Sequence, residues 1–145
     1  NPLTDHRSAS EALKYAYETG ADHCTTSGIP TGTGVEIIKK TALAKAYREG
    51  KEPHHREHVT PYIKEHPELF KIMKYQSALS NPYPELRLTV DTPEDFKLIK
   101  IIYDKLYSGK PVELSEVINF ISENPDLRFI NSNIEQRPMT HYSHG

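Results

Sequence analysis

Apolar and polar residues alternate over Leu86-Arg87-Leu88-Thr89-Val90, the period of a strand that buries one face. A helix start follows directly. Thr92 with Asp95 forms a capping-box-like pair, and Pro93 takes the first helical position, where its missing N–H costs nothing. Phe96, Ile99, Ile102, Tyr103 and Leu106 then recur at the spacing of a core-facing stripe. The pattern predicts a helix from Pro93 to Tyr107, ended by Gly109.

Upstream, Ser8 or Ser10 caps a predicted helix reaching Thr19, with Leu13, Ala16 and Tyr17 on one face and Gly20 as its stop. Residues 22–26 lean to strand, 27–34 form a loop with three glycines and a proline, and 35–38 predict a strand. A helix over Thr41 to Arg48 ends at Gly50. Residues 51–56 read as a polar connection, and Thr60 before Pro61 opens a helix to His66. Residues 70–75 alternate as a strand with one wet face, and 77–85 are loop. Ser115 caps a last helix that turns Val117, Ile118 and Ile121 inward, Asn124-Pro125 closes it, and Phe129 and Ile130 make a final apolar piece.

Strands alternating with helices predict a layered α/β domain over 1–131, followed by a polar, disordered tail over 132–145. The strands are few and short for a doubly wound sheet, which fits half a domain. Asn1-Pro2-Leu3 likewise reads as the interior of a longer chain.

Composition narrows the function classes. Charged residues make up 26% and apolar residues 36% of the 145, so the chain is expected to fold. The formal net charge is -2, and the basic residues are scattered without the stripe a nucleic-acid groove requires. Cys24 is the single cysteine, which excludes an internal disulfide and a Cys-rich zinc site. His23 and Cys24 are strand neighbours pointing to opposite faces, so a buried structural thiol is expected rather than a nucleophile. No apolar run approaches the roughly 20 residues that span a bilayer. No membrane partner is expected, and the expected compartment is the cytoplasm.

Asp91 is the first candidate for chemistry, because the helix start is satisfied without it. Ligands gather at the carboxyl ends of strands in open α/β sheets, and a carboxylate there can hold Mg²⁺ when phosphates supply the other ligands. The alternative role is a cap for the helix behind it. His54 and His58, four apart, could share a helix face and bind zinc, although no third ligand is placed and an exposed connection explains them equally. Arg56 carries a planar fork suited to carboxylate or phosphate. Thr31-Gly32-Thr33-Gly34 reads as a turn, since no helix follows to make it a phosphate loop. Glu36 either points into a site or pairs on a wet face.

Four segments in this order resemble one family. Asn1-Pro2-Leu3-Thr4-Asp5 is similar to the end of the GD-x-P-L-x-D segment of sugar nucleotidyltransferases, and Gly32-Thr33-Gly34-Val35-Glu36 to their G-x-x-VE strand entry. Arg56-Glu57-His58-Val59-Thr60-Pro61-Tyr62-Ile63 and Leu86-Arg87-Leu88-Thr89-Val90-Asp91-Thr92-Pro93-Glu94-Asp95 complete the set. Together they resemble the spore-coat polysaccharide biosynthesis protein F family. That family is related to the acylneuraminate and 3-deoxy-manno-octulosonate cytidylyltransferases.

The resemblance implies a Rossmann-like nucleotide-diphospho-sugar transferase fold, here its C-terminal half. It implies CMP transfer from CTP to a sugar acid in spore-coat or other surface polysaccharide biosynthesis, with release of pyrophosphate. Asp91 becomes a ligand of the catalytic Mg²⁺, Glu36 a contact to sugar hydroxyls, Arg56 and His58 neighbours of the sugar pocket, and Arg87 an anion contact. The family's CTP-binding half and its other metal-binding aspartate would precede Asn1. Some relatives carry an acid near position 34, where this chain has Gly34, which bears on sugar choice. A homodimer through residues 56–75 is also implied. The alternative is a non-catalytic module, derived from the same fold, that binds sugar phosphate or dimerises. A further idea makes the His-rich segment a metal-dependent interaction site.

Overall fold

A computed structural model describes residues 2–134; the expected disorder over 135–145 lies outside the described residues. In chain order the elements are α1 (His6–Thr19), β1 (His23–Ser27), β2 (Glu36–Ile38), α2 (Lys40–Glu49), α3 (Pro53–Glu57), α4 (Pro61–Glu65), β3 (Ile72–Gln76), α5 (Pro93–Leu106) and α6 (Leu114–Glu123). A 3-10 helix over Pro125–Phe129 follows. The mixed α/β character expected from the alternation of strands and helices is present. The three strands form one sheet in the order β2-β1-β3, with β1 and β2 antiparallel and His23 opposite Ile38, Cys24 opposite Ile37 and Thr25 opposite Glu36.

The described chain divides into two compact units, one built from 2–10, 26–35 and 76–134, the other from 11–25 and 36–75. In the first, α5 and α6 pack on each other through Leu98, Ile102, Val117 and Ile121, all fully buried, with Leu86 and Leu88 in the same core. Burying a side chain of this size contributes about 1.5–3 kcal/mol. In the second, Ala42 and Ala46 of α2 meet Tyr62 and Ile63 of α4 and Phe70, while Ala16, Ala21 and Cys24 form a smaller cluster.

Several local expectations change. The cap of α1 is Asp5, whose Oδ2 accepts the Ser8 N–H at 3.3 Å, rather than Ser8 or Ser10. Ser8 is drawn inward to Ser77 Oγ, and Ser10 Oγ donates to the His6 carbonyl within the helix. Gly20, at φ 68, ends α1 as expected, since a side chain is strained in that conformation. On α1 the buried positions are Ser8, Ala12 and Ala16, while Leu13 and Tyr17 face out, Tyr17 at 89% exposure. The cap of α6 is Glu113, in a capping box with Glu116, which displaces Ser115 from that role.

Residues 53–57 are helical rather than a plain connection, because Pro53 at the helix start and a Glu52–His55 capping box outweigh the polar composition. The expected strand over 86–90 contracts to one parallel bridge, Thr31 to Arg87. Thr31 donates its N–H to the Leu86 carbonyl and accepts the Leu88 N–H. Both faces are covered from Leu86 to Thr89, whereas Val90, expected on the buried face, is exposed. Leu86 and Leu88 enter the core, and Arg87 and Thr89, expected on a wet face, are buried against Asp95. Asp95 accordingly replaces Phe96 on the inner side of α5, and Phe96 is 58% exposed.

Candidate functional site

Asp95 is the centre of a buried polar cluster in the first unit. Its carboxylate is fully buried. Arg87 Nε donates to both oxygens, at 3.1 and 3.2 Å, and Arg87 Nη2 donates to Oδ2. Thr89 Oγ1 donates to Oδ2 at 2.6 Å, the Asp91 N–H at 3.1 Å, and Asn131 Nδ2 to Oδ1 at 2.8 Å. Burial alone would push this carboxyl up, but the Arg87 guanidinium and then Thr89, Asn131 and the Asp91 N–H hold it well below the usual carboxylate range. Asn131 also donates to the Arg87 carbonyl, tying the segment after α6 to the bridge at Arg87.

This network fixes the backbone at Asp91 and leaves its side chain for other use. Thr92 Oγ1 accepts the Asp95 N–H, so Thr92 caps α5 as expected, while the Asp95 carboxylate reaches past it to the Asp91 N–H. Asp91 is not the cap. Its Oδ2 accepts from Arg87 Nη2 at 2.9 Å, and the side chain is 66% exposed. Asp91 is therefore a preoriented, exposed carboxylate directly before a helix start. Its oxygen donors suit a hard cation such as Mg²⁺, which requires only one or two protein carboxylates.

In the second unit, Glu36 lies beside a buried histidine and a lysine. His23 Nε2 stands 3.6 Å from Glu36 Oε2, an ion-pair separation rather than a close hydrogen bond, and Lys64 Nζ bonds Oε1. His23, then Lys64 and Thr60, lower the Glu36 carboxyl to about 2 against the opposing effect of burial. Glu36 thus pairs within the protein.

Arg56 and His58 line one cavity of about 550 Å³ with Leu43, Tyr47, Val59 and Tyr62. Arg56 lies over the Tyr47 ring, 5.1 Å from its centroid, and donates to the Tyr47 carbonyl at 3.0 Å. A concave, largely apolar space of this size with a few polar groups is a usual small-molecule site. Thr31-Gly32-Thr33-Gly34 is a turn, as the sequence indicates: the Pro30 carbonyl accepts both the N–H and the hydroxyl of Thr33. Cys24 is fully buried.

The structure thus joins Arg87 to Asp91 in one unit and Arg56 to His58 in the other. The sequence reading missed Asp95 as the buried anchor, together with Thr89 and Asn131. Its available signal was a polar alternation, Arg87 and Thr89, followed by an acid on the next helix. It also missed that His54 meets His55 and Glu65 rather than His58 in a metal-ligand arrangement.

Comparison with known proteins matches this geometry to one family. A family model described as cytidylyltransferase matches residues 1–124. The chain is 36% identical over 137 residues to the uncharacterized protein MJ1063 of Methanocaldococcus jannaschii, covering 94% of this chain and 56% of that relative. It is 31% identical over 127 residues to the spore coat polysaccharide biosynthesis protein SpsF of Bacillus subtilis, covering 87% and 53%. A solved cytidylyltransferase from Leptospira borgpetersenii superposes with a TM-score of 0.76 at 25% identity, covering 94% of this chain and 57% of that one. The chain spans about half the length of the curated relatives it matches. No helix among the described residues is long and apolar enough to cross a membrane. Matched over residues 1–124, this chain belongs to the cytidylyltransferase family.

Proposed function

We propose that this chain is part of an enzyme that transfers CMP from CTP to a sugar acid, in the assembly of a surface polysaccharide such as a spore coat. In that reaction a sugar hydroxyl oxygen bonds to the α-phosphorus and loses its proton, while the α–β phosphoanhydride bond breaks and pyrophosphate departs. The order of the four motif segments favours placing the chain in the C-terminal portion of such an enzyme. One observation carries the proposal: Asp91 is oriented by Arg87 but remains exposed, because Asp95 takes the structural hydrogen bonds of the segment.

Asp91 is the proposed ligand of Mg²⁺, which supplies charge neutralisation at the phosphates when bound. Arg87 orients Asp91, and a direct contact from Arg87 to an anion competes with the two carboxylates it already binds. Arg56 and His58 border the cavity proposed for the sugar. Glu36 is a proposed contact to sugar hydroxyls on the resemblance of its segment alone, and it would have to compete with its pairing to His23 and Lys64. The exposed Tyr47 and Val59 beside that cavity give a homodimer an apolar surface to use.

The test is pyrophosphate release by the complete enzyme with CTP, Mg²⁺ and a panel of sugar acids. Asp91→Asn is expected to lose at least about 100-fold in kcat, as removal of a charge-stabilising group does, with unchanged unfolding. Undiminished turnover in that variant overturns the role of Asp91. Absence of CMP-sugar with every sugar acid overturns the enzyme reading and favours the non-catalytic module.

A further inference from the structure

Beside Arg56 and His58, the second unit holds a cluster to which the proposed CMP transfer assigns no role. His54 and His55 of α3 both turn their Nε2 atoms onto the carboxylate of Glu65 in α4. His54 Nε2 lies 2.7 Å from Oε1 and His55 Nε2 lies 2.7 Å from Oε2. One donor atom from each of the three residues falls within 4.8 Å of the others. The two rings lean together, with centroids 4.2 Å apart, and the T-shaped contact of His55 with Tyr62 fixes its plane. The His55 side chain is buried, that of His54 is half-buried, and Glu65 reaches solvent. Two imidazoles and one carboxylate converge from two short helices, with an open side left for water.

We propose that His54, His55 and Glu65 bind a divalent transition-metal cation of the zinc class, and that the cation clips α3 to α4. Two imidazoles with one carboxylate form a donor set that suits zinc and its neighbours, whereas magnesium and calcium favour all-oxygen sites. Tetrahedral bonds of about 2.0–2.2 Å place ligand atoms about 3.3 Å apart. The present 2.7 Å contacts therefore need to open by about half an ångström, which the long Glu65 side chain can absorb. Two protons must move, because each Nε2 that meets the Glu65 carboxylate at 2.7 Å carries a hydrogen. The Glu52 N–H donates to His55 Nδ1 at 3.2 Å, so His55 Nε2 carries the hydrogen that faces Glu65. Coordination through Nε2 requires the other tautomer. A hydrogen on Nδ1 ends the bond from the Glu52 N–H and needs its own acceptor, a part that the Glu52 carboxylate, which accepts the His55 backbone N–H, would play.

The consequence is mechanical. The clip closes the turn over 58–60, and His55 itself lines the cavity that Arg56 and His58 border. Bound cation braces that wall without entering any chemical step.

The experiment titrates the purified protein with Zn²⁺ at pH 7.5 against a chromophoric chelator, with millimolar Mg²⁺ present. The expected result is one equivalent bound at or below about 1 μM, weaker than structural zinc sites with four protein ligands, as three ligands imply. His54→Ala, His55→Ala and Glu65→Gln are each expected to weaken it roughly 100-fold, more than the loss of an outer-shell partner costs. A variant lacking the tail histidines, His141→Ala with His144→Ala, is expected to keep full affinity. The proposal is overturned if the unmodified protein binds no stoichiometric Zn²⁺, if affinity survives in the variant lacking all three ligands, or if it disappears with the tail histidines. None of these readouts depends on nucleotide chemistry, so the outcome is separate from that of the CMP-transfer test.

Discussion

Arg87 holds Asp95 in a buried fork, Nε to Oδ1 at 3.1 Å, and with the same guanidinium reaches the exposed Asp91 at 2.9 Å. Two acids four residues apart thus share one cation and have opposite fates. Asp95 is structural because it is dry and saturated with donors. Asp91 is available because water reaches it.

That contrast predicts unequal stability effects. Asp95→Ala leaves the Arg87 charge buried without its main partner and strips acceptors from Thr89, Asn131 and the Asp91 N–H. The expected loss is about 3–5 kcal/mol in denaturant unfolding, the range for breaking a buried ion pair from one side. Asp91→Asn removes only an exposed pair and is expected to stay within about 1 kcal/mol of the parent. Equal losses in the two variants would contradict this division of labour.

Acid sensitivity follows from Glu36. Its carboxyl is lowered from 4.5 to about 2 by His23 foremost, with Lys64 and Thr60 adding to the effect. A depressed folded-state pKa contributes stability that is complete above the unfolded value and fades as pH falls through the folded one. Glu36→Gln should therefore be less stable than the parent at pH 6, and the gap should narrow steadily between about pH 4.5 and 2. Urea titrations of both proteins across that window check it. A gap independent of pH would remove the ion pair from the explanation.

The thiol of Cys24 gives a simpler measurement. Burial pushes it up, and a backbone hydrogen bond at Tyr75 opposes this only in part. A buried thiol of raised pKa presents little thiolate to an electrophile. Native protein at pH 7.5 should react with a disulfide reagent at least about 100-fold more slowly than protein in denaturant. Prompt labelling of the native state would show that this cluster opens readily.

What the sequence made visible were features set by near neighbours. Thr92 and Pro93 announce α5, Gly20 ends α1, and the spacing of Val117, Ile118 and Ile121 marks a buried helix face, all within one or two turns of chain. What stayed hidden depends on distant partners. Asp95 resembles an ordinary first-turn acid until Asn131, 36 residues away, is seen to donate to it. The alternation at 86–90 places Leu86 and Leu88 in the core, but Val90 is exposed, and the pattern does not reveal that a buried carboxylate waits on the polar side. His54 and His55 gain Glu65 only because a short turn folds α4 back against α3. Spacing along a single helix suggested His58 instead.

Gly28 offers a test of packing in the loop that precedes the bridge at Arg87. It sits at φ 78, and a Cβ there would lie 1.9 Å from Gln76 Nε2. Two costs are therefore superposed, backbone strain in the left-handed region and collision with a side chain. Strain alone is worth about 1–2 kcal/mol for a non-glycine residue. Gln76 also accepts a hydrogen bond from Ser27 Oγ through Oε1 at 3.0 Å, so displacing it removes that contact as well. Gly28→Ala is expected to destabilise by more than the strain value. Adding Gln76→Ala to Gly28→Ala should recover the collision and leave the strain. By contrast Gly109, at φ 88 with open space around it, should show the strain value alone when changed to alanine. A double-mutant cycle by denaturant unfolding separates the terms. Simple additivity of Gly28→Ala and Gln76→Ala would mean that the amide swings aside without cost and that strain accounts for the whole effect.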